Sequence, residues 1–522
     1  MYNPFMHRFL KHQGFIFVVI LIFGAGVTLL SGFYTNFHVV GNDFWSVLYY
    51  GRHITWAEKE SLYNGFYPIG YAFLIGQYPY GYVVQLAYVT NALLAGLLIA
   101  SVSSTVASVR SMPATLFAIV ACMTVPILFV NSNTVGPDIG SVTFTAFAIY
   151  LLWKDLLADR PEDTSISRAI LIGVSLGLSA LWRSHAIVSA VAILISFFLI
   201  AGIRPFYHRL WMVLSLIGIY SLQIVANLFS GHGALETAQN FNIYKLLYGV
   251  DWTYSPSPSE IANFSLLETF RHDPSFVINA YILPFRVLLL YALPACACIL
   301  VARSRVIRKY AMFSALVIFL YAIPVAFGDS PRAPLIIMVP YLSSIALLAI
   351  AFIDRVKDIS GSVTWIPGLV LLIIIVASTY FFSQWVLHDL EVLRVNRNEH
   401  KVFLSIEEVL IARGLNNPMQ AYADRYDFYF PSLPPYQPRQ IGGFAEDWVW
   451  GYSQEYPPLA NDSWSSFSAA CFEQKIQYLI LSPNSDYRGE FFKEIYNDEF
   501  NQDEFDLVFV KQRSKTRIYS FK

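Results

Sequence analysis

The chain has 522 residues, of which 56% are hydrophobic, 16% aromatic and only 14% charged, with 35 Lys and Arg against 36 Asp and Glu and a formal net charge of −1. A soluble domain carries about a quarter of its residues charged, so this composition, with a mean hydropathy of +0.49, excludes an ordinary soluble enzyme and points to a polytopic membrane protein. No basic stripe that would neutralise a phosphate backbone is present, which excludes nucleic acid as a partner.

The first apolar run, Phe15 to Leu30, follows the basic start "MYNPFMHRFLKHQ". A signal peptide begins in the same way, but no A-x-A-like site follows, so the run reads as an uncleaved first helix over roughly 14–32. Further runs long enough for a hydrocarbon core of about 30 Å lie at roughly 82–104, 113–130, 138–153, 169–182, 186–203, 210–229, 278–302, 310–327, 333–353 and 364–386. About eleven transmembrane helices are therefore expected. Arg8, Lys11, Arg110, Lys154, Arg160, Arg168, Arg204, Arg209, Arg303, Arg305, Arg308, Lys309, Arg355 and Lys357 fall in the short loops of one side. The other side has Arg52, Lys59, Arg183, Lys245, Arg271 and Arg332, spread over longer loops. This bias sets the N-terminus in the cytoplasm, and an odd helix number sets the C-terminus outside.

Three regions then lie outside the membrane: a first loop at about 33–80, a second at about 230–277, and a tail over 387–522. In the tail, "KIQYLILSP" and "FDLVFV" have strand composition and "SIEEVLIARGL" has helical periodicity, so 387–522 reads as a small extracytoplasmic α+β domain behind a transmembrane body over 1–386. Of the four cysteines, Cys122, Cys296 and Cys298 fall in apolar runs and Cys471 in the polar tail, which gives neither a disulfide framework nor metal-ligand spacing.

On this topology the ionisable residues collect at the outer ends of helices. Asp43 follows the first helix in "GNDFW", Asp138 opens a helix in "TVGPDIGS", and Arg183 and His185 make the turn "LWRSHAI". Asp329 and Arg332 make the turn "GDSPRAP", and Arg286 lies about two turns inside the helix expected at 278–302. Each also has a plain structural reading. Asp138 after Pro137 suits an N-cap, Arg183 and Arg332 suit interfacial anchors that snorkel to headgroups, and His185 suits a hydrogen-bonded turn. Asp43 is harder to explain as a cap, because Gly41 and Asn42 can turn the chain without it. An ionisable residue at hydrocarbon depth, such as Arg286, is functional or paired by default. The first loop interleaves Tyr63, Tyr67, Tyr71, Tyr78 and Tyr80 with Pro68 and Pro79. Those rings suit a membrane interface as well as they suit stacking on sugars.

A first helix, an Asp in a long outer loop, and the segment "ESLYNGFYPIGYAFL" together resemble the membrane-embedded GT-C glycosyltransferases that use polyprenyl-phosphate sugars, the group of protein mannosyltransferases, aminoarabinose transferases and RgtABCD-like enzymes. The resemblance covers the whole layout of multispan body, catalytic first loop and C-terminal outer domain. It implies an enzyme of the plasma (inner) membrane that moves a hexosyl or pentosyl group from a polyprenyl-phosphate donor to a glycan, lipid or protein acceptor, with inversion. It further implies a catalytic carboxylate at Asp43, a second at Asp138, and a phosphate ligand at Arg332, which Pro334 follows. The one cofactor it suggests is a divalent metal, Mg or Mn. The chain lacks the D-x-D or E-x-D pair that would hold such a metal near Asp43, so its metal ligands are unknown.

The chemistry fits the same layout. Transfer from a lipid-phosphate sugar needs a carboxylate to take a proton from the acceptor hydroxyl and cations to stabilise the departing phosphate. Asp43 suits the first task, and Arg332, Arg183, Arg286 and His185 suit the second. Tyr63 and Tyr67, with Trp448 and Trp450 of "EDWVWGY", are the candidate sugar-stacking residues. Two alternatives stay open. A transporter or flippase of lipid-linked sugars would need ionisable residues along a mid-membrane path, where only Arg286 approaches, and an O-antigen-type polymerase or ligase would carry its large outer loop between late helices.

Overall fold

The computed structural model describes residues 4–35, 44–53, 67–79, 82–108, 112–157, 165–202, 206–229, 233–234, 239–248, 264–326, 333–360, 398, 401–424, 428–433, 459, 463–483, 490–499, 505–511 and 514–522. Its helices, in chain order, are α1 Pro4–Thr35, α2 Phe44–His53, α3 Ile69–Gly76, α4 Val83–Ala107, α5 Met112–Thr124, α6 Pro126–Asn133, α7 Asp138–Leu157 and α8 Ile166–Trp182. They continue as α9 Ala186–Ala201, α10 Phe206–Phe229, α11 Gln239–Tyr248, α12 Leu266–His272, α13 Pro274–Leu290, α14 Leu293–Val301, α15 Arg305–Val325 and α16 Ala333–Ser360.

The protein is a polytopic helical membrane protein. Among the described residues, five helices are long and apolar enough to cross a bilayer (α1, α4, α10, α15 and α16), or seven if the bent pairs α5–α6 and α12–α13 each count as one span. Fewer pass that test than the eleven spans expected, for local reasons. At 17 and 16 residues, α8 and α9 fall short of the ~20 residues that a span needs. Asp138 and Lys154 in its terminal turns dilute the hydropathy of α7. Between α5 and α6 the chain bends by 59°, because Pro126 removes a backbone donor and holds Val125 in an extended conformation (φ −63°, ψ 125°). The run expected at 364–386 lies outside the described residues.

Packing is close where small residues meet. A Cβ on Gly96 of α4 would collide with the Leu21 carbonyl of α1, and one on Gly24 would come within 2.8 Å of Ile99 Cδ1. The small-residue contact lets two backbones approach within the bilayer. On its other side α1 exposes Phe15, Ile22, Phe23 and Leu30. A core built from α4, α7, α9 and α15 buries Leu98, Ile149, Trp153, Phe197, Tyr310 and Phe313, with Trp153 edge-on to Tyr310 at 4.5 Å. At the end of the body rich in Lys and Arg, Arg168 Nη1 donates to Asp155 Oδ1 at 2.8 Å, and the Arg209 guanidinium lies 4.1 Å from the Phe197 ring centroid.

The tail contains a small α+β region. Its four-stranded sheet has the order β1-β2-β4-β3, with β1 Ala421–Ala423, β2 Tyr478–Leu481, β3 Phe505–Lys511 and β4 Thr516–Phe521. Strands β1 and β2 are parallel, and β4 is antiparallel to both β2 and β3. Alternate residues feed two cores. Tyr422, Leu479, Leu481 and Tyr519 meet Phe467, Cys471, Phe492 and Ile495 on one face, while Ala421, Ala423, Tyr478, Ile480 and Ile518 meet Phe403, Ile406 and Leu410 on the other. That second group of helical residues lies on α17, over 401–412. Helix α17 ends where Gly414 adopts φ +98°, with Leu415 N–H donating to the Leu410 carbonyl and Gly414 N–H to that of Ile411, both at 3.0 Å. This is the closing pattern that "ARGL" suits.

Glu407 of α17 is buried, and it holds a distant turn. Its Oε1 accepts Ser432 N–H at 2.8 Å and Leu433 N–H at 3.2 Å, and its Oε2 accepts the Ser432 hydroxyl at 2.8 Å. Burial pushes the Glu407 carboxyl up from its ordinary value, partly offset by these hydrogen bonds. A folded-state pKa above the unfolded one makes the folded tail the better proton binder. The stability that Glu407 contributes is therefore complete below the unfolded pKa, about 4.3, and is lost as pH rises through the folded value. A Gln side chain can keep this arrangement without titrating, its Oε1 accepting both amides and its Nε2 donating to the Ser432 hydroxyl. Glu407→Gln is thus expected to remove the loss of amide-exchange protection at Ser432 and Leu433 that the wild-type protein shows, after correction for intrinsic exchange, as pH rises above about 4.3. Equal pH dependence in the two proteins would refute the assignment.

Candidate functional site

The end of the body opposite the one rich in Lys and Arg is built on α2, α3 and the adjoining ends of α4, α6, α7, α8 and α10. Helix α2 begins at Phe44, one residue after Asp43, which itself lies outside the described residues. Gly51 of α2 and Gly76 of α3 let the two helices touch backbone to backbone, since a Cβ on either would overlap the other helix's chain. Arg52 then caps α3, its Nη1 donating to the Gly76 carbonyl at 2.8 Å and its Nη2 to that of Tyr78. At the other end of α3, Ile69 N–H donates to Gln223 Oε1 of α10 at 2.9 Å. The first loop is thus held at both ends of α3.

A second set of bonds places Asp138. Tyr88 Oη of α4 donates to Asn133 Oδ1 at 3.0 Å, and Asn91 Nδ2 donates to the Thr134 carbonyl at 2.7 Å. These fix the segment between α6 and α7, at whose end Asp138 heads α7. At the top of α8 the chain leaves the helix at Arg183 (φ −146°, ψ 131°) and turns through Ser184 and His185, with Ala186 N–H donating to the Arg183 carbonyl at 3.0 Å. That turn aims Arg183 at α7. Its Nη2 donates to Asp138 Oδ2 at 2.8 Å, and its Nε lies 2.7 Å from Asp138 Oδ1. Both side chains are mostly buried, at 10% and 16% exposed.

Below the ion pair, polar groups continue between the same helices. Ser179 Oγ donates to the Ser141 carbonyl at 2.7 Å and lies 2.8 Å from Thr145 Oγ1. Trp182 packs directly on Gly140, where a Cβ would collide with the indole nitrogen, and it meets Phe144 edge-on at 5.1 Å and Tyr71 at 6.2 Å. Burial pushes the Tyr71 phenol well above its ordinary value, and the charges of Tyr78 and Asp138 act in the same sense. Tyr71 Oη has no hydrogen-bond partner among the described residues. Phe44, Trp45, Tyr50, Tyr67, Tyr71, Val135 and Trp182 form one buried aromatic cluster, which α2 enters with the residues that directly follow Asp43.

Of the residues singled out in the sequence, the structure joins Asp138 to Arg183. Arg183, expected among the donor-phosphate ligands, has an acid as its partner, because the turn at 183–185 places its guanidinium on the top of α7. His185 is half-buried at the N-cap of α9. Tyr67, a sugar-stacking candidate, is 5% exposed, with its ring 6.3 Å from that of Tyr50. Arg286 lies deeper than two turns inside its helix. Since α13 begins at Pro274 rather than near 278, Arg286 is about 18 Å along the axis, exposed on a face with Leu283, Val287 and Leu290. It makes no ion pair with any described residue. Asp43, Tyr63, Asp329, Arg332, Trp448 and Trp450 lie outside the described residues. No group of three His, Cys, Asp or Glu side chains that could hold a metal occurs among the described residues.

No family model matches the chain, and no curated protein matches it. Among solved structures, ArnT from Cupriavidus metallidurans in the apo state aligns with a TM-score of 0.53 and 13% identity, over 98% of this chain and 98% of that one. The chain shares the ArnT fold. ArnT bound to undecaprenyl phosphate aligns equally well, with a TM-score of 0.52 and 14% identity over 96% and 97% of the two chains. The archaeal oligosaccharyltransferase AglB from Archaeoglobus fulgidus, in complex with an inhibitory peptide and a dolichol-phosphate, is more remote, with a TM-score of 0.47 and 11% identity over 89% of this chain and 69% of that one. The GT-C resemblance read from the sequence thus holds at the level of fold, and the ArnT alignment takes in the tail as well as the helices.

Sequence reasoning missed Tyr88, Asn91, Ser141 and Ser179. Their signal was present as polar residues at helical spacing inside apolar runs, Asp138, Ser141 and Thr145 on one helix and Ser179 four residues before Arg183 on the next. The Asp138–Arg183 pair makes a testable statement. Removing one partner of a buried pair leaves an uncompensated charge, at a cost of about 3–5 kcal/mol. Asp138→Asn and Arg183→Gln are each expected to lower the thermal stability of the detergent-solubilised protein, and the double variant to regain most of the loss. Additive losses in the double variant would show that the pair is not energetically coupled.

Proposed function

We propose that the protein is a membrane glycosyltransferase that moves a sugar from a polyprenyl-phosphate donor to an extracytoplasmic glycan, lipid or protein acceptor. The observation that carries this reading is the ArnT fold over the whole chain, since ArnT has been crystallised with undecaprenyl phosphate bound. Asp43 acts as general base. It takes the proton of the acceptor hydroxyl as that oxygen bonds to the anomeric carbon, the bond from that carbon to the phosphate oxygen breaks, and the lipid phosphate leaves with the electron pair. A single displacement of this kind inverts the anomeric centre.

Arg332, His185 and Arg286 bind the departing phosphate in this reading. Arg183 reaches that charge only as half of its pair with Asp138, so Asp138 serves to orient a cation rather than to take a proton. Tyr63, Tyr67, Trp448 and Trp450 contact the sugar or the acceptor. The body over 1–386 carries the chemistry and the tail over 387–522 covers the acceptor, with the N-terminus in the cytoplasm and the tail on the far side of the inner membrane.

The deciding experiment combines mass spectrometry of lipid-linked sugars in a deletion strain with transfer assays on purified protein. Accumulation of one polyprenyl-phosphate sugar names the donor, and its absence under all growth conditions would count against the reading. Asp43→Asn keeps the side-chain shape and removes its basicity, so turnover should vanish while insertion and donor binding persist. Asp43→Glu should lose on the order of 100-fold, the cost of misplacing the group by about 1 Å. Full turnover in the Asn variant would remove Asp43 from the mechanism. For the topology, a reporter active only in the cytoplasm and fused after Lys522 should be silent, and a strong signal would reverse the orientation.

A further inference from the structure

The tail does not only sit after the body in sequence; one of its side chains completes the aromatic cluster into which α2 packs. The three successive residues Phe428, Tyr429 and Phe430 are all buried, but not in one core. Phe428 and Phe430 are buried in the tail's own core with Phe403, Ile406 and Leu410. Tyr429, between them, is 5% exposed and belongs to the other cluster, with Phe44, Trp45, Tyr71 and Trp182 of the body. Glu407 holds the next turn through Ser432 and Leu433, so the stretch is fixed just beyond Tyr429. Helix α2, which contributes Phe44 and Trp45, begins one residue after Asp43.

We propose that Tyr429 is a positioning residue of the active site: the tail inserts its ring into the aromatic cluster and thereby sets the place of α2 and of the carboxylate at its start. This rests on the proposed transferase reading for its catalytic consequence, but not for its structural one. The tail is then a structural part of the catalytic centre. Its docking and the alignment of the base are one event. The aromatic ring supplies the contact area, so Tyr429→Phe, which removes only the hydroxyl, retains the packing.

Amide hydrogen exchange on the full-length protein in detergent tests the structural claim without any substrate. Tyr429→Ala is expected to raise exchange across Phe44–His53 at least tenfold while the sheet amides of Tyr478–Leu481 stay protected, and Tyr429→Phe to restore the wild-type pattern. Unchanged exchange over Phe44–His53 in the alanine variant overturns the proposal. If that variant does not fold, Tyr429→Leu keeps apolar volume without the ring, and the same readout decides. Glu407→Ala, which releases the next turn, is expected to loosen the same helix to a smaller degree.

With the donor named by the deletion strain, Tyr429→Ala should lower kcat by about 10- to 100-fold, the range expected when a reacting group shifts by up to about 1 Å, with KM for donor little changed and recovery in Tyr429→Phe. Loosened exchange with full turnover would overturn the positioning role. A wild-type protein that transfers no sugar would sink the transferase reading, and the exchange arm would still decide whether Tyr429 fixes α2.

Discussion

The end of the body that carries α2 and α3 depends on one buried ion pair. Charged groups are costly to remove from water, and the attraction between them offsets that cost only when geometry is close and the remaining polar atoms are engaged. Asp138 and Arg183 meet at two points, 2.7 and 2.8 Å, and neither reaches the other without its surroundings. Asp138 is placed by the segment that Tyr88 and Asn91 hold, and Arg183 by the abrupt end of α8. The Ser141, Thr145 and Ser179 contacts continue the pairing down the same helices. Three helix ends are locked together by a chain of polar contacts within a largely apolar body.

On that platform the aromatic cluster can be rigid. Gly140 leaves room for the Trp182 indole, Trp182 leans on Tyr71 and Phe144, and Tyr71 belongs to α3, which Arg52 and Gln223 hold at either end. Helix α2, which touches α3 backbone to backbone and enters the same cluster, takes its position from the packing of several elements rather than from one loop.

What the sequence disclosed and what it concealed follow from the range of the interactions. Long apolar runs announced α1, α4, α10, α15 and α16 because hydropathy is a local property. Strand composition announced β2 and β3, whereas β1, with three residues, is too short to leave a pattern. Asp138, Arg183 and His185 stand out as ionisable residues at helix ends. Their assignment to separate roles is natural in a linear reading, because nothing local says that residues 45 positions apart form a pair. Helices α2 and α3, at 10 and 8 residues, are shorter than any window that detects a span. The same holds for Tyr429, whose neighbours Phe428 and Phe430 belong to a different core, so its destination is fixed only by tertiary structure.

The order of strands in the tail bears on how the protein is made. β4 lies between β2 and β3, although it is the last of the four to be synthesised, and β1 must wait for β2, more than fifty residues later. The central strand therefore arrives last, and until Thr516–Phe521 emerges the sheet has two unfilled edges where its middle should be. Parallel and long-range pairings are slow to form. A growing chain would hold its aromatic-rich intermediate stretch exposed throughout that interval, and unpaired edges of that kind are where a partly folded sheet is open to wrong pairing.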